Sequence, residues 1–301
     1  MEKIFTGVVV DNPLLKLGVN TDLKVTTQRF GLEGFPRPYG TTSPSSFNGT
    51  ALSVSFRNTE GHHTLGSAAV VGPGIAISAK HVIEEWLNQL VSGGAAAVCQ
   101  GITQHGVDIW EVVKTTTVDS TDIAILILNR RSAVPENREL NTCHISTRTP
   151  VVGDRVLLTG FTATNRTAEI RKNTELSGLM RVSHGEVIDV FPSGRDRVML
   201  PGPSFAIDCP AFGGMSGGGV FDRDGYLIGL VSSSTDGDPI AYASHIWPAL
   251  VGTINPEWPY SITSTSLLNM GRKHGVHIHR PDAFKPSIRN GKVAWSYVLW
   301  S

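Results

Sequence analysis

Ser216 stands in the run Phe212-Gly213-Gly214-Met215-Ser216-Gly217-Gly218-Gly219-Val220-Phe221. Glycine lacks a Cβ, so the backbone there can take positive φ and lie close to a bound substrate. Two neighbouring N–H groups can then point at one spot, as a developing oxyanion requires. A serine in such a loop becomes a nucleophile when a base reaches it. A tight turn between two strands uses the same residue types, and with 32 glycines in 301 residues Gly-Gly pairs also arise by composition. Two residues upstream favour chemistry. His81 follows the apolar stretch Gly74-Ile75-Ala76-Ile77-Ser78-Ala79-Lys80, and an imidazole, which titrates near neutral pH, is a natural general base. Asp122 opens the apolar run Ile123-Ala124-Ile125-Leu126-Ile127-Leu128. A carboxylate at such a rim can fix a histidine tautomer and stabilise the imidazolium; the plainer alternative is a turn or cap residue.

The elements that must position these groups are strands. Short runs rich in Val, Ile and Thr alternate with Gly, Pro, Asn and Asp clusters. Strands are predicted near 51–57, 64–71, 74–79, 95–101, 107–115 and 122–128. After His81 the spacing of Val82, Ile83, Trp86, Leu87, Leu90 and Val91 predicts a helix with Glu84 and Glu85 outward. Residues 129–150 are polar and read as a connection, 245–252 as a short helix. Residues 1–48, rich in Gly, Pro and Ser towards their end, read as an arm that packs locally before linking into the first strands.

Together the three segments resemble chymotrypsin-like serine proteases. Ser-Ala-Lys-His81 is similar to their Thr-Ala-Ala-His motif, Thr-Asp122-Ile-Ala-Ile-Leu to Asp-Ile-Ala-Leu, and Gly214-Met215-Ser216-Gly217-Gly218 to Gly-Asp/Asn-Ser-Gly-Gly. The order His, Asp, Ser is also that family's order. Val152-Gly153-Asp154-Arg155-Val156 resembles the start of the second barrel in the bacterial HtrA-like branch. The resemblance covers roughly residues 50–252. It implies an all-β fold of two six-stranded antiparallel Greek-key barrels. The arm would span 1–48, the barrels 49–140 and 141–252, and a C-terminal tail 253–301. Gly-x-Ser-x-Gly also describes the α/β-hydrolase elbow, but that fold needs Asp and His after the serine and βαβ units throughout, a pattern this chain lacks.

What the resemblance implies is a serine endopeptidase. His81, Asp122 and Ser216 are its catalytic residues, and the N–H groups of Gly214 and Ser216 its oxyanion hole. Gly229-Leu230-Val231-Ser232-Ser233-Ser234 is similar to the segment that walls the primary specificity pocket. By that match Ser232 hydrogen-bonds Asp122, and Ser232, Ser233 and Ser234 pair with substrate backbone. Pro210, six residues before Ser216, stands where relatives that cut after Arg or Lys carry aspartate, and Ile240 would narrow the pocket. Asp208 lies near enough in sequence for a loop shift to bring it in. Cleavage after small or medium apolar residues is the expectation. Met215 replaces the aspartate that pairs with a new N-terminus in secreted relatives, so zymogen activation of that kind is not expected. The competing readings are a latent or inactive protease-fold scaffold and an esterase on the same fold.

Composition narrows the partners. With 26 basic and 26 acidic residues, no nucleic acid is expected; the partner that the resemblance implies is a polypeptide substrate, together with a regulatory protein to restrain the enzyme. No apolar run approaches ~20 residues, so no membrane span is expected. The N-terminal residues do not read as a signal peptide. Three cysteines, Cys99, Cys143 and Cys209, are too few and odd in number for a disulfide framework and point to a reducing, cytoplasmic setting. No metal or organic cofactor is expected. His277 and His279, like His62-His63, read as polar surface rather than ligands. Trp295, Tyr297 and Trp300 read as barrel packing in preference to an exposed aromatic strip. The tail is too short for a PDZ module.

Overall fold

The structure is a computed structural model that describes residues 4–10, 24–58, 62–84, 86–93, 95–132, 139–163, 167–168, 173–233, 238–257, 263–271, 274–289 and 292–298. Six strands form the first barrel: β1 (Ala51–Asn58), β2 (His62–Gly72), β3 (Ile75–Ala79), β4 (Ala95–Thr103), β5 (Gly106–Val118) and β6 (Ile123–Arg130). Six more form the second: β7 (Arg155–Ala163), β8 (Asn173–Phe191), β9 (Ser204–Ile207), β10 (Gly219–Asp222), β11 (Leu227–Ser233) and β12 (Ala241–His245). Each sheet closes on itself, β3 onto β2 and β11 onto β10. Numbered within its barrel, each follows the same circular strand order, first-second-third-sixth-fifth-fourth, with antiparallel neighbours throughout. Closure removes the open sheet edges that would otherwise invite pairing.

Period-two alternation sorts the side chains. On β6, Ala124, Leu126 and Leu128 fill the first barrel, while Ile123, Ile125 and Ile127 face outward into a seam shared with the second. On β7, Val156 and Leu158 fill the second barrel, and Leu157 and Phe161 enter the same seam. Both faces of these strands are buried, which explains why the β6 sequence reads as an unbroken apolar run.

The arm does more than pack locally. Lys24–Gln28 pairs in parallel with Glu139–Cys143, and Tyr39–Thr42 pairs antiparallel with Met180–Ser183 of β8. Ile4–Val10 continues along β8 from Asn173 to Leu179. Because β8 is 19 residues long, it offers backbone groups beyond the barrel that the arm satisfies. Phe47 is fully buried in the seam against Phe30 and Phe35, with ring centroids 4.9 and 5.0 Å away. The connection between barrels is likewise less polar than its composition predicts: Leu140, Cys143 and Ile145 are buried.

The helix predicted after His81 is broken in two, α1 (Lys80–Glu84) and α2 (Leu87–Val91). Trp86 turns inward at the break and packs on Phe56 at 4.3 Å and His63 at 5.6 Å; Glu85 lies outside the described residues. A short helix α3 (Trp247–Val251) follows β12, and α4 (Leu267–Gly271) packs in the tail. Tyr297 stacks on Trp247 at 4.7 Å and shares a 2.9 Å hydrogen bond with the Thr149 hydroxyl. Trp295 belongs to a hairpin strand and Trp300 lies outside the described residues. Ile278–His279 pairs with Ile145–Ser146, and His279 stacks on Tyr226 at 4.7 Å. Among the described residues no group of histidines, cysteines and carboxylates is arranged to hold a metal ion, and no helix is long and apolar enough to cross a membrane. All three cysteines are buried and free, and burial pushes each thiol up to about 12.

Burial also holds His245 neutral, down to about 3, beside the ring of Phe205 at 5.1 Å. The unfolded chain protonates this imidazole near its ordinary value of 6.5. Between those two values the unfolded state therefore binds more protons than the folded one, and stability falls as pH falls. Urea unfolding from pH 7 to 4 should lose about 1.4 kcal/mol per pH unit from this residue below pH 6.5. His245→Leu should flatten the slope; an equal slope in the variant would refute the assignment.

Candidate active site

The site lies where the two barrels meet. His81 is in the first turn of α1, directly after β3, rather than at a strand end. Asp122 is the last residue before β6, and β3 and β6 pair with Ala79 opposite Ile123. That register sets the two side by side. Asp122 is buried, and its carboxylate receives His81 Nδ1 at 2.9 Å (Oδ2) and 3.1 Å (Oδ1). The His81 backbone N–H donates to Oδ1 at 3.1 Å, and the Asp122 carbonyl accepts from Lys80 N–H at 3.2 Å. With Nδ1–H facing the carboxylate, the free Nε2 is the acceptor. The imidazole is 40% exposed, open to a substrate.

The Ser216 loop comes from the second barrel and is bound to the first. The Ser67 N–H on β2 donates to the Ser216 carbonyl at 2.7 Å. Gly217, with φ +82°, leaves no room for a side chain: a Cβ there would collide with the Ser67 carbonyl and the Ser78 hydroxyl. Ser78 is three residues before His81, so this contact seats the Ser216 loop on the histidine segment. Ser216 Oγ lies 3.5 Å from the Ser232 carbonyl, and among the described residues no hydrogen bond joins it to His81.

Gly214 takes φ +98°, with a would-be Cβ only 2.6 Å from the Phe161 carbonyl. Among the described residues, the N–H groups of Gly214 and Ser216 donate to no backbone carbonyl, which leaves two donors at the rim. Met215 is fully buried in the second barrel and its sulfur accepts the Phe212 N–H at 3.4 Å. The loop is thus anchored by an apolar side chain.

Ser67 carries no motif and was not among the predicted site residues. Its hydroxyl donates to the Gly214 carbonyl at 2.9 Å and accepts the Phe161 N–H at 2.8 Å. It therefore ties a first-barrel strand both to the Ser216 loop and to β7. No local pattern reveals this, because the partners lie 147 and 94 residues away. Ser67→Ala removes both bonds and frees the loop. A shift of about 1 Å in such a loop can cost about 10²-fold, and kcat on a peptide substrate is expected to fall by that order. Parent-like kcat would show that the strut is dispensable.

The specificity residues are only partly brought together. Pro210 and Ile240 are half-buried, and the Ile240 N–H donates to Asp238 Oδ1 at 3.0 Å. The Ser232 hydroxyl does not reach Asp122; it pairs with Ser244 Oγ at 2.7 Å, because a bulge between Val231 and Ser233 redirects it towards β12. Ser233 pairs with Tyr242, and beyond Val231, among the described residues, β11 has only β12 as a strand partner. Ser234 lies outside the described residues. Asp208 is exposed and accepts the Glu186 N–H on β8.

Two closed antiparallel barrels with the histidine, aspartate and serine loops at their junction define the fold of chymotrypsin-like serine proteases. The chain belongs to the trypsin-like peptidase family: the family model "Trypsin-like peptidase domain" matches residues 66–230, more than half of the chain. Among solved structures, similarity is found to Deg5 (21% identity, 66% of this chain and 84% of that one, TM-score 0.47). The Rv3671c protease of M. tuberculosis in its active form matches at 13% identity, over 80% and 91% of the two chains, with a TM-score of 0.46. The MamO protease domain from Magnetospirillum magneticum matches at 14% identity, over 67% and 94%, with a TM-score of 0.45. No curated protein sequence matches the chain.

Proposed function

We propose that the chain is a serine endopeptidase that works through an acyl-enzyme, with His81, Asp122 and Ser216 as its triad. The observation that carries this reading is the Asp122 carboxylate on His81 Nδ1 at 2.9 Å, in a junction where the Ser216 loop is hydrogen-bonded to the barrel that carries both. In this mechanism Ser216 Oγ leaves the Ser232 carbonyl and hydrogen-bonds His81 Nε2. Oγ then attacks the scissile carbonyl carbon as its proton passes to Nε2, and the carbonyl oxygen becomes an oxyanion facing the Gly214 and Ser216 N–H groups. Collapse breaks the C–N bond, and His81 returns the proton to the leaving amine. Water repeats the sequence and frees Ser216. The open side of β11 beyond Val231 receives the acyl part of a polypeptide substrate as an added strand.

The reading includes cleavage after small or medium apolar residues. Pro210 offers no charge, and the Glu186 N–H holds Asp208 on the outside of β8. Three free cysteines suit a reducing, cytoplasmic setting. A fluorophosphonate probe should label Ser216, which an inert scaffold would not allow. A proteome-derived peptide mixture should be cut after residues such as Ala and Val. Cuts confined to Arg and Lys would refute the preference, and absence of both labelling and cutting would refute the enzyme.

A further inference from the structure

The Ser216 loop has two flanks. On one, Gly217 N–H bonds the Val231 carbonyl at 2.7 Å and β11 runs on as the open edge assigned above to the acyl part of the substrate. On the other, Gly214 presses on Phe161 and Thr162 at the end of β7. A chain that enters along β11 and is cut at Ser216 must leave across this second flank. Three side chains from distant parts of the sequence meet there. Phe212, two residues before Gly214, carries the Arg181 guanidinium over its ring at 4.7 Å, and Tyr39 of the arm touches the same ring at 5.8 Å. Arg181 Nε donates to Thr162 Oγ1 at 3.2 Å, which fixes the plane of the guanidinium.

Arg181 is half-buried, and no carboxylate pairs with it among the described residues. That contrasts with Arg130, Arg131 and Arg148, each of which has an acidic partner. A guanidinium stacked on an aromatic ring, steered through Nε and, among the described residues, with no hydrogen bond to its terminal nitrogens is suited to a planar carboxylate. We propose that Arg181, backed by Phe212, recognises a carboxylate in the part of the substrate beyond the cleaved bond. The carboxylate is either an acidic side chain or the free C-terminus of a short leaving segment. This specificity rests on the peptidase reading above.

The test uses quenched peptides with one acyl half ending in alanine and a varied leaving half. Glu, Gln or Lys is placed at each of its first three positions with an amidated end, and a neutral leaving half is made with free or amidated C-terminus. An anilide of the same acyl half, which has no leaving-side residues, tests the peptidase reading alone. The parent should favour Glu over Gln at one position by about tenfold in kcat/KM, as expected for one charge-assisted hydrogen bond at a half-exposed site, with Lys lowest. If the free terminus is the carboxylate recognised, the gain appears only in the free-acid peptide. In Arg181→Gln the Glu-to-Gln or acid-to-amide ratio should fall to about one, while Arg181→Lys should keep part of it. A parent ratio near one, or a full ratio retained in Arg181→Gln, overturns the proposal. Failure to cut either the anilide or any peptide overturns the peptidase reading and this specificity with it.

Discussion

Ser216→Ala is expected to fold as the parent does and to lose about 10⁶-fold in kcat, the order seen when a triad nucleophile is removed. The side chain is a small part of what holds the loop. The Ser216 carbonyl is fixed by Ser67 N–H, Met215 is buried in the second barrel, and Gly217 N–H is bound to the Val231 carbonyl. None of these contacts uses Oγ, which among the described residues has one long contact, to the Ser232 carbonyl at 3.5 Å. Truncation therefore removes only that long contact, and the thermal midpoint should stay close to the parent's. Residual cleavage at more than a thousandth of the parental rate, in protein shown by mass to carry the alanine, would mean that another group is the nucleophile.

Asp122→Asn is expected to cost about 10⁴-fold in kcat at neutral pH with little change in KM. The carboxylate accepts from two donors, the His81 backbone N–H and Nδ1–H, at 3.1 and 2.9 Å. In the asparagine variant the amide oxygen can serve only one of them comfortably. If it stays on the backbone N–H, the amide NH₂ faces Nδ1, and the imidazole must then move its proton to Nε2. That tautomer cannot accept the Ser216 proton. Steady-state kinetics on the best peptide, together with imidazole NMR to read the tautomer, checks both halves of the argument. A variant with parental kcat would remove Asp122 from the catalytic set.

How far the site could be read in advance depended on the range of the interactions involved. The histidine, aspartate and serine were legible because each sits at a boundary with a local signature: the end of an apolar strand, the start of one, a glycine loop. The buried strands were legible through alternation, as at Ala124, Leu126 and Leu128 against Ile123, Ile125 and Ile127. The helical pattern after His81 does not show the break at Trp86, because this side chain fits a helical apolar face equally well whether it stays in register or turns in to pack on Phe56. Ser232 was assigned to Asp122 by resemblance, and the bulge at that point of β11 sends its hydroxyl to Ser244 instead.

Residue type and spacing alone determined which groups could do the chemistry and which strands would be buried, since both follow from short-range periodicity and the intrinsic reactivity of side chains. The tertiary structure alone decided that Ser67 braces the serine loop, that the arm runs along β8 to place Tyr39 on Phe212, and that Arg181 lies over the same ring. Those arrangements depend on contacts between separate strands and loops, for which the chain carries no local pattern.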